Sequence, residues 1–344
     1  MPEMTKRIPA LDGVRGLAII LVVISHAGIG ALASGGRVGV TLFFVLSGYL
    51  ITRLLLIEQA ESDSIRIAAF YGRRALRLLP ALVIYLVGIA LLVRWLRLDV
   101  PVWRITWPPA LYVANYAEIM GMDLFAHRHT WSLAVEEHFY LIWPVVVAAG
   151  ATKRLRPLAV AVALLLVWRL VVASFNPYWA YRGSDTNAYA LGFGCLLAAV
   201  DNRRLLPRLP RSAPAIATAS LLLLSMVPVE SAGQPYLPAV WLPPLAAALA
   251  VVLIAGAVQH DFKLLESDIL RWFGLISYAL YLWHAPLMQV PGLGDSAPGR
   301  LVAATVAVVV AWGSWVFVER RFVAGRWREA LEPVRRRSAA AEAT

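Results

Sequence analysis

Long apolar runs separated by short polar loops dominate the hydropathy pattern of this chain. Ten of these runs predict membrane-spanning helices, because each is an apolar stretch approaching or exceeding the length of a bilayer core. They are residues 11–31, 37–57, 76–96, 131–150, 156–174, 187–201, 213–229, 237–257, 269–289 and 299–319. A further apolar stretch, 102–119, contains Pro108 and Pro109, which interrupt a helix, so it predicts a re-entrant or interfacial segment. The pattern predicts an all-α, polytopic membrane protein with about ten transmembrane helices.

The composition supports this prediction and limits the classes of binding partner. Hydrophobic residues make up 60% of the chain and charged residues 15%, whereas soluble proteins have about 45–50% and 25%. We therefore expect a multi-pass protein of the cell membrane (the inner or plasma membrane). The net charge of +11 is spread over short loops, which favours membrane lipids and an anionic small molecule as partners and argues against nucleic acid. Cys195 is the only cysteine, so no internal disulfide and no cysteine metal site is expected.

Basic residues alternate between successive loops. The richer loops hold Lys6, Arg7, Arg66, Arg73, Arg74, Arg77, Lys153, Arg154, Arg156, Arg203, Arg204, Arg208, Arg211, Lys263, Arg271 and the tail from Arg320 onward. The poorer loops hold Arg37, Arg97, Arg104, Arg128, Arg182 and Arg300. The positive-inside rule places the richer set, and with it both termini, in the cytoplasm. We expect a transmembrane domain over residues 1–322 and a basic cytoplasmic tail over 323–344.

The first predicted span carries two ionisable residues, Arg15 and His26. They are eleven positions apart, which is three helical turns plus about 20°, so both lie on one face, roughly 16 Å apart along the axis. Ionisable residues within a membrane helix usually face the bundle interior and mark a site. The alternative is that Arg15 snorkels to the interface and His26 is a structural polar residue. The predicted orientation places Arg15 near the cytoplasmic face and His26 in the outer half.

A second basic cluster lies at the cytoplasmic start of the third predicted span. Arg74 and Arg77 are three residues apart and share a helix face, and Arg73 is adjacent. A guanidinium binds phosphate oxygens bidentately, so these residues are candidates for holding a phosphate-bearing ligand. The alternative is a positive-inside anchor that contacts lipid headgroups.

The fourth predicted span begins with a polar and aromatic motif at its outer end. Glu136 and Tyr140 are one turn apart, and Trp131 and Ser132 lie one turn before Glu136. A carboxylate at this depth can orient or charge-balance an imidazole, which predicts a catalytic role for Glu136 beside His26. The other three residues become candidates for binding a substrate. An interfacial aromatic belt with incidental carboxylates is the alternative.

The neighbouring carboxylate, Glu137, is expected to lie elsewhere. It is rotated by 100° from Glu136 and shares its face with Leu133 and Leu141. We expect this face to contact packing partners or lipid. A carboxylate would be costly there, so we expect Glu137 to lie close to the outer interface or in a water-filled gap and to be dispensable.

Three further observations concern substrate and metal binding. His284 precedes Pro286 at the outer end of the ninth predicted span and can line an acceptor pocket, although a structural histidine beside a proline kink is also expected there. Asn115, in the interrupted segment, is another substrate-binding candidate. Because His127, His129 and His138 are loosely spaced, no metal site is expected.

Five segments, taken together and in this order, resemble the membrane-bound acyltransferase 3 family of OafA-like O-acyltransferases. The R/K-x10-H pattern falls on Arg15 and His26, and RxxR on Arg74 and Arg77. The remaining patterns are FFxLSGxL at Phe43, Phe44, Leu46, Ser47, Gly48 and Leu50, WSLxxExxFY at Trp131, Ser132, Leu133, Glu136, Phe139 and Tyr140, and SYxLYLWHxP at Ser277, Tyr278, Leu280, Tyr281, Leu282, Trp283, His284 and Pro286.

The resemblance implies transfer of an acyl group, commonly acetyl, from cytoplasmic acyl-CoA to a hydroxyl of a sugar, cell-surface glycan, lipid or macrolide-type natural product. It implies that His26 removes the hydroxyl proton, that Arg74 and Arg77, with Arg15 and Arg73, bind coenzyme A, and that Glu136 orients His26 or the acceptor. An acyl-histidine intermediate remains an alternative. The chain shows no SGNH-type domain of the kind that some members append, which implies a stand-alone member.

A secondary transporter of a small anionic solute is the alternative from another functional class. Intramembrane charges and interrupted helices also occur in such carriers. That interpretation predicts internal repeats between the two halves of the chain, and we detect none in the sequence.

Overall fold

Helices account for most of the backbone that the structure describes. A computed structural model describes residues 8–28, 30–228 and 237–322. Thirteen α-helices and no strand occur in these ranges. The helices are α1 Pro9–His26, α2 Gly35–Ser62, α3 Ile67–Trp95, α4 Val102–Ala110, α5 Ala114–Ile119, α6 Trp131–Ala148, α7 Leu155–Phe175, α8 Pro177–Arg182, α9 Ser184–Asn202, α10 Ala213–Ser225, α11 Leu237–Gln259, α12 Asp268–Leu287 and α13 Ala297–Ser314.

Each of the ten predicted spans coincides with one of the ten longest helices. Among the described residues, six helical stretches are long and apolar enough to cross a membrane: Pro9–His26, Gly35–Ser62, Ile67–Trp95, Leu155–Phe175, Val240–Gln259 and Ala297–Phe322. The all-α, multi-pass membrane architecture is therefore confirmed, and the number of ten crossings stays a prediction. The interrupted apolar stretch forms the short helices α4 and α5, and the predicted tail at 323–344 lies outside the described residues.

The surface of α3 shows what surrounds the bundle. Val83, Val87 and Leu91 follow one another at four-residue spacing and are all exposed. Residues at this spacing form one stripe along a helix. An exposed apolar stripe of this kind is suited to the hydrocarbon of a bilayer, so α3 presents one face to lipid and the opposite face to the bundle.

Helix α1 lies inside the bundle, packed against α2 on one side and α12 on the other. Glycines allow α1 and α12 to approach backbone to backbone. A Cβ atom added to Gly16 would lie 1.9 Å from the carbonyl oxygen of Leu270, and one added to Gly274 would lie 2.0 Å from that of Asp12. Small residues at such contacts are typical of membrane helix pairs. This packing fixes the rotation of α1 and therefore the direction of Arg15 and His26.

We expect Gly274→Ala to destabilise the protein, because the added methyl group overlaps the carbonyl oxygen of Asp12. Overpacking of a filled interior typically costs about 1–3 kcal/mol. The measurement is the thermal unfolding midpoint of purified protein in detergent. Gly313→Ala in α13 is the matched control, because no atom lies within 4 Å of a Cβ at that position. Equal midpoints for the two variants would contradict the close packing of α1 and α12.

Candidate active site

Two arginine patterns that are distant in sequence meet in space. Arg15 projects from α1, and Arg74 and Arg77 project from one face of α3. The Arg77 guanidinium interacts electrostatically with both other arginines, which places all three around one region. Arg15 lies 3.8 Å from the Asp12 carboxylate. Arg77 is exposed, and no hydrogen bond or ion pair joins it to another described residue. The cluster thus presents an open guanidinium, as an anion-binding site requires.

Arg74 is held by two partners on α6. Its Nε and Nη2 atoms both donate to Oε1 of Glu137, at 3.0 and 2.7 Å. Its Cζ atom lies 3.0 Å from the centre of the Tyr140 ring. Glu137 therefore faces a packing partner, which was one of the expected alternatives, but it lies at the arginine cluster and not near the outer interface. The face of α6 that carries Glu137 meets α3, where the arginine neutralises a carboxylate that would otherwise be costly to bury.

Glu136 also belongs to the arginine end of the site. Its Oε1 atom accepts a hydrogen bond of 2.7 Å from Ser47, and its carboxylate interacts electrostatically with Arg74 and Arg15. No described contact joins Glu136 to His26, so the expected orienting contact between them is absent from this structure. The reason is the depth of α6. Its first residue, Trp131, packs against Phe44 in the first half of α2, so Glu136 reaches Ser47 further along that helix.

His26 lies at the other end of α1, where it has imidazole neighbours. Its ring is 4.9 Å, centre to centre, from that of His284 on α12, and His284 is 5.2 Å from His129. His284 is fully buried and His129 nearly so, whereas His26 is exposed. His26 therefore forms the accessible end of a row of three imidazoles. In the part of the chain that the structure describes, no such group is arranged to hold a metal ion.

Backbone carbonyl groups fix the tautomer of each ring in this row. Nδ1 of His26 donates to the Val22 carbonyl at 2.9 Å, and Nδ1 of His284 donates to that of Tyr281 at 2.8 Å. Nε2 of His129 donates to the Leu282 carbonyl at 3.1 Å. A carbonyl oxygen only accepts, so the other nitrogen of each neutral ring carries a lone pair. His26 thus offers Nε2 as a base to the space that its exposed edge faces.

His129 lies outside the helices, in the 3-10 turn Phe125–Thr130. Burial, reinforced by the nearby rings of His284, His26 and His127, lowers the pKa of His129 well below its ordinary value. His129 therefore stays uncharged at neutral pH. A neutral ring at this position avoids placing a second positive charge beside His26 when that residue takes up a proton.

The predicted substrate-binding residues Trp131 and Ser132 form part of the wall around this row. The Ser132 hydroxyl lies 2.5 Å from that of Tyr281, which in turn donates to the His129 carbonyl at 2.9 Å. The Trp131 ring packs 4.8 Å from that of Tyr181. Both predicted residues are buried and brace aromatic neighbours, so they shape the wall rather than present a polar group at its surface.

Two other candidates are directed away from the cluster. Arg73 lies next to Arg74 in sequence, but its Nη2 atom lies 3.2 Å from the carboxylate of Glu58. Asn115 is fully buried and donates at 2.9 Å to Ser184, which ties α5 to α9. The structure thus gives both residues a structural partner and does not bring them together with His26.

Two neighbours of the candidate residues, Glu137 and His129, are not predictable from the motifs alone. Glu137 carries the same charge as its neighbour Glu136, and only the packing of α3 against α6 distinguishes them. His129 stands two positions before Trp131, so its closeness to the recognised WSL motif was the signal that could have been used.

We expect Glu137→Gln to weaken binding of coenzyme A about tenfold, because the carboxylate that holds the Arg74 guanidinium in position is lost. Hydrogen bonds to a charged group are typically worth about 1.5–3 kcal/mol. Glu136→Gln should keep the hydrogen bond from Ser47, because an amide oxygen also accepts, and should change coenzyme A affinity less. The measurement is the Kd of coenzyme A on purified protein. A Glu137→Gln variant with wild-type affinity would show that the ion pair with Arg74 is not needed for the donor.

Comparison with known proteins adds an independent line of support. A family model for the acyltransferase domain of the acyltransferase 3 type matches residues 8–319, which is most of the chain and includes every candidate site residue. No solved structure matches.

Several curated proteins are similar over most of the chain. The peptidoglycan O-acetyltransferase OatA of Listeria monocytogenes is 32% identical over 91% of this chain and 55% of its own length. The putative peptidoglycan O-acetyltransferase YrhL of Bacillus subtilis is 30% identical over 91% and 54%. The O-acetyltransferase OatA of Staphylococcus aureus is 30% identical over 82% and 50%. The chain thus spans about half the length of the curated relatives it matches.

Proposed function

Because this chain belongs to the acyltransferase 3 family, we propose that it is a membrane O-acetyltransferase that moves an acetyl group from acyl-CoA to a hydroxyl. The names of its relatives support a cell-envelope glycan as the acceptor class, ahead of lipids and small natural products. The acceptor is expected to be a molecule at the outer face of the membrane.

The observation that carries this proposal is the arrangement along α1. An open arginine cluster surrounds Arg15 at one end, and an imidazole with a free lone pair, His26, lies at the other. The helical rise separates the two residues by about 16 Å. Acyl-CoA has the matching form, since its phosphates are at one end of a long flexible arm and its reactive thioester is at the other. The cluster suits the phosphates, and His26 suits the thioester and the incoming hydroxyl.

The loop charges support a cytoplasmic donor site. Alternation of basic residues between loops favours cytoplasmic termini, which places the beginning of α1, and with it Arg15, near the cytoplasm. Coenzyme A thioesters are cytoplasmic metabolites. His26 then lies toward the outer face, where an envelope acceptor is available. On this proposal the acetyl group crosses the membrane within the bundle while the nucleotide stays on the inner side.

The proposed chemistry needs one base and no metal. Nε2 of His26 removes the proton of the acceptor hydroxyl as the oxygen attacks the thioester carbonyl. A carbon–oxygen bond forms and the carbon–sulfur bond breaks, and the proton passes from His26 to the departing thiolate. The products are an O-acetyl ester and free coenzyme A. The Val22 carbonyl keeps Nδ1 protonated throughout, so the same nitrogen serves both steps.

Sealed inverted membrane vesicles from cells that express the chain test this function. Radiolabelled acetyl-CoA is added outside, where the cytoplasmic face is exposed. We expect label in an alkali-labile O-acetyl ester and release of one coenzyme A thiol for each ester. Right-side-out vesicles should give no ester, because the donor cannot reach its site. Uptake of a solute without thiol release would instead favour the secondary transporter and exclude the proposed reaction.

A further inference from the structure

One arginine on the predicted outer side of the membrane, Arg37, makes no ion pair with a described residue, whereas the nearby Arg182 does. It lies in the first turn of α2, is half-buried, and has its Cζ atom 5.3 Å from the centre of the Tyr181 ring. Its Nη1 atom is buried and makes no hydrogen bond. Within the described ranges, no carboxylate lies within ion-pair distance of it. A buried guanidinium nitrogen without a partner is costly, which makes it unusual for a purely structural residue.

Arg182 provides a direct comparison on the same ring. Its Cζ atom lies 5.4 Å from the centre of Tyr181, nearly the same distance as that of Arg37. However, Nε of Arg182 lies 2.6 Å from the carboxylate of Glu118, which is almost completely buried. Of the two arginines at the Tyr181 ring, Arg182 is therefore neutralised by Glu118, and Arg37 has no carboxylate of the described residues beside it.

Arg37 has a like-charged neighbour, Arg169. This fully buried residue interacts electrostatically with Arg37 as a like charge. Its hydrogen bonds include those to the neutral carbonyl oxygens of Ala180 and Thr186. Arg37 is therefore held near a second guanidinium group.

The backbone next to Arg37 lies close to the proposed base. A Cβ atom placed on the preceding residue, Gly36, would be 3.6 Å from Cε1 of His26. On the other side, the Tyr181 ring under Arg37 packs against Trp131 in the wall of the site. The start of α2 and the Tyr181 ring thus connect Arg37 with the wall of the site that contains His26.

We propose that Arg37 and Tyr181 form a subsite that binds an anionic oxygen group, a carboxylate or a phosphate, on the same molecule whose hydroxyl is acetylated. The guanidinium binds two oxygens of the anion, and the tyrosine ring supports the guanidinium from below. The acceptor is then an acidic glycan rather than a neutral one. This inference rests on the proposed O-acetyltransferase function and specifies the acceptor for it.

The test uses membranes that contain the full chain, radiolabelled acetyl-CoA, and anion-exchange chromatography of the labelled product after free acetate and coenzyme A are removed. We expect the wild-type product to be retained by the exchanger at neutral pH. Arg37→Gln should lower labelling at least about tenfold, and Arg37→Lys should be intermediate because lysine keeps the charge but loses the bidentate geometry. Carbodiimide coupling of the product to a neutral amine abolishes retention of a carboxylate and leaves that of a phosphate.

Two controls separate the possible failures. Arg104→Gln removes an exposed arginine from α4, on the same predicted side of the membrane, and should label like wild type. Coenzyme A affinity should be unchanged in both glutamine variants, which shows that the fold and the donor site are intact. A neutral labelled product, or an Arg37→Gln variant that retains more than half of the labelling, overturns this inference alone. A wild-type protein that transfers no acetyl group overturns the proposed function and this inference with it.

Discussion

His26→Ala is expected to lower acetyl transfer by about 10²–10⁴-fold, the range typical for loss of a general base. The ring is exposed, its Nδ1 proton is held by the Val22 carbonyl, and its Nε2 lone pair is free to take the hydroxyl proton. The measurement is the initial rate of O-acetyl ester formation by purified protein in lipid vesicles. His26→Gln should be equally slow, because glutamine has similar size but is not a base.

The matched control for this prediction is His260→Ala. His260 lies far along the chain, after α11, and bonds to the carbonyl of Leu209, away from the row of imidazoles. It should keep the wild-type rate. Coenzyme A should bind to the His26 variants with normal affinity, because the arginine cluster is unchanged. A His26→Ala variant that keeps more than roughly a tenth of the wild-type rate would assign the base to another residue.

Arg77→Ala is expected to raise the Kd of coenzyme A by about 10–100-fold, which corresponds to one lost charged hydrogen bond. Among the three clustered arginines, Arg77 is the one that is exposed and makes no hydrogen bond or ion pair with a described residue, so its guanidinium is available to a phosphate. Arg77→Lys should recover part of the affinity, because a single ammonium replaces a two-pronged donor. Isothermal titration of coenzyme A into the purified protein measures the effect.

Arg73→Ala is the control within the same turn of α3. Its guanidinium is engaged by Glu58, so its removal should leave the Kd of coenzyme A close to wild type. Equal weakening by the Arg73 and Arg77 variants would indicate that the donor responds only to the general positive charge of this surface. Unchanged affinity in both would return the RxxR pattern to the role of a lipid anchor.

The helices of this fold can be predicted from the sequence because the bilayer restricts the composition of the segments that cross it. A helix that crosses hydrocarbon must be apolar over most of its length, so each run could be recognised without knowing its neighbours. The helix α9 shows the limit of the rule. Its run was predicted as 187–201, whereas the helix begins at Ser184, because its first turn is polar and is buried against protein rather than lipid.

The contacts within the site are harder to predict from the sequence, because they depend on the depth at which the helices meet. The shared face of Arg15 and His26 follows from helical geometry alone. The partner of Glu136 does not, since it depends on where α6 begins relative to α2, and the sequence contains no signal for this offset. The prediction paired Glu136 with the imidazole, and the structure pairs it with Ser47.

The contact between α1 and α12 can form only late in synthesis of the protein. The ribosome makes His26 early and His284 roughly 260 residues later, which at ~5–20 residues per second is a delay of about 13–50 s. Throughout that interval the first helix resides in the translocation machinery or the membrane without the neighbour that fits its glycines. A nascent chain therefore carries its arginine cluster before its row of imidazoles is complete. A chain that stops before α12 lacks the helix that packs against α1 and is expected to be unstable.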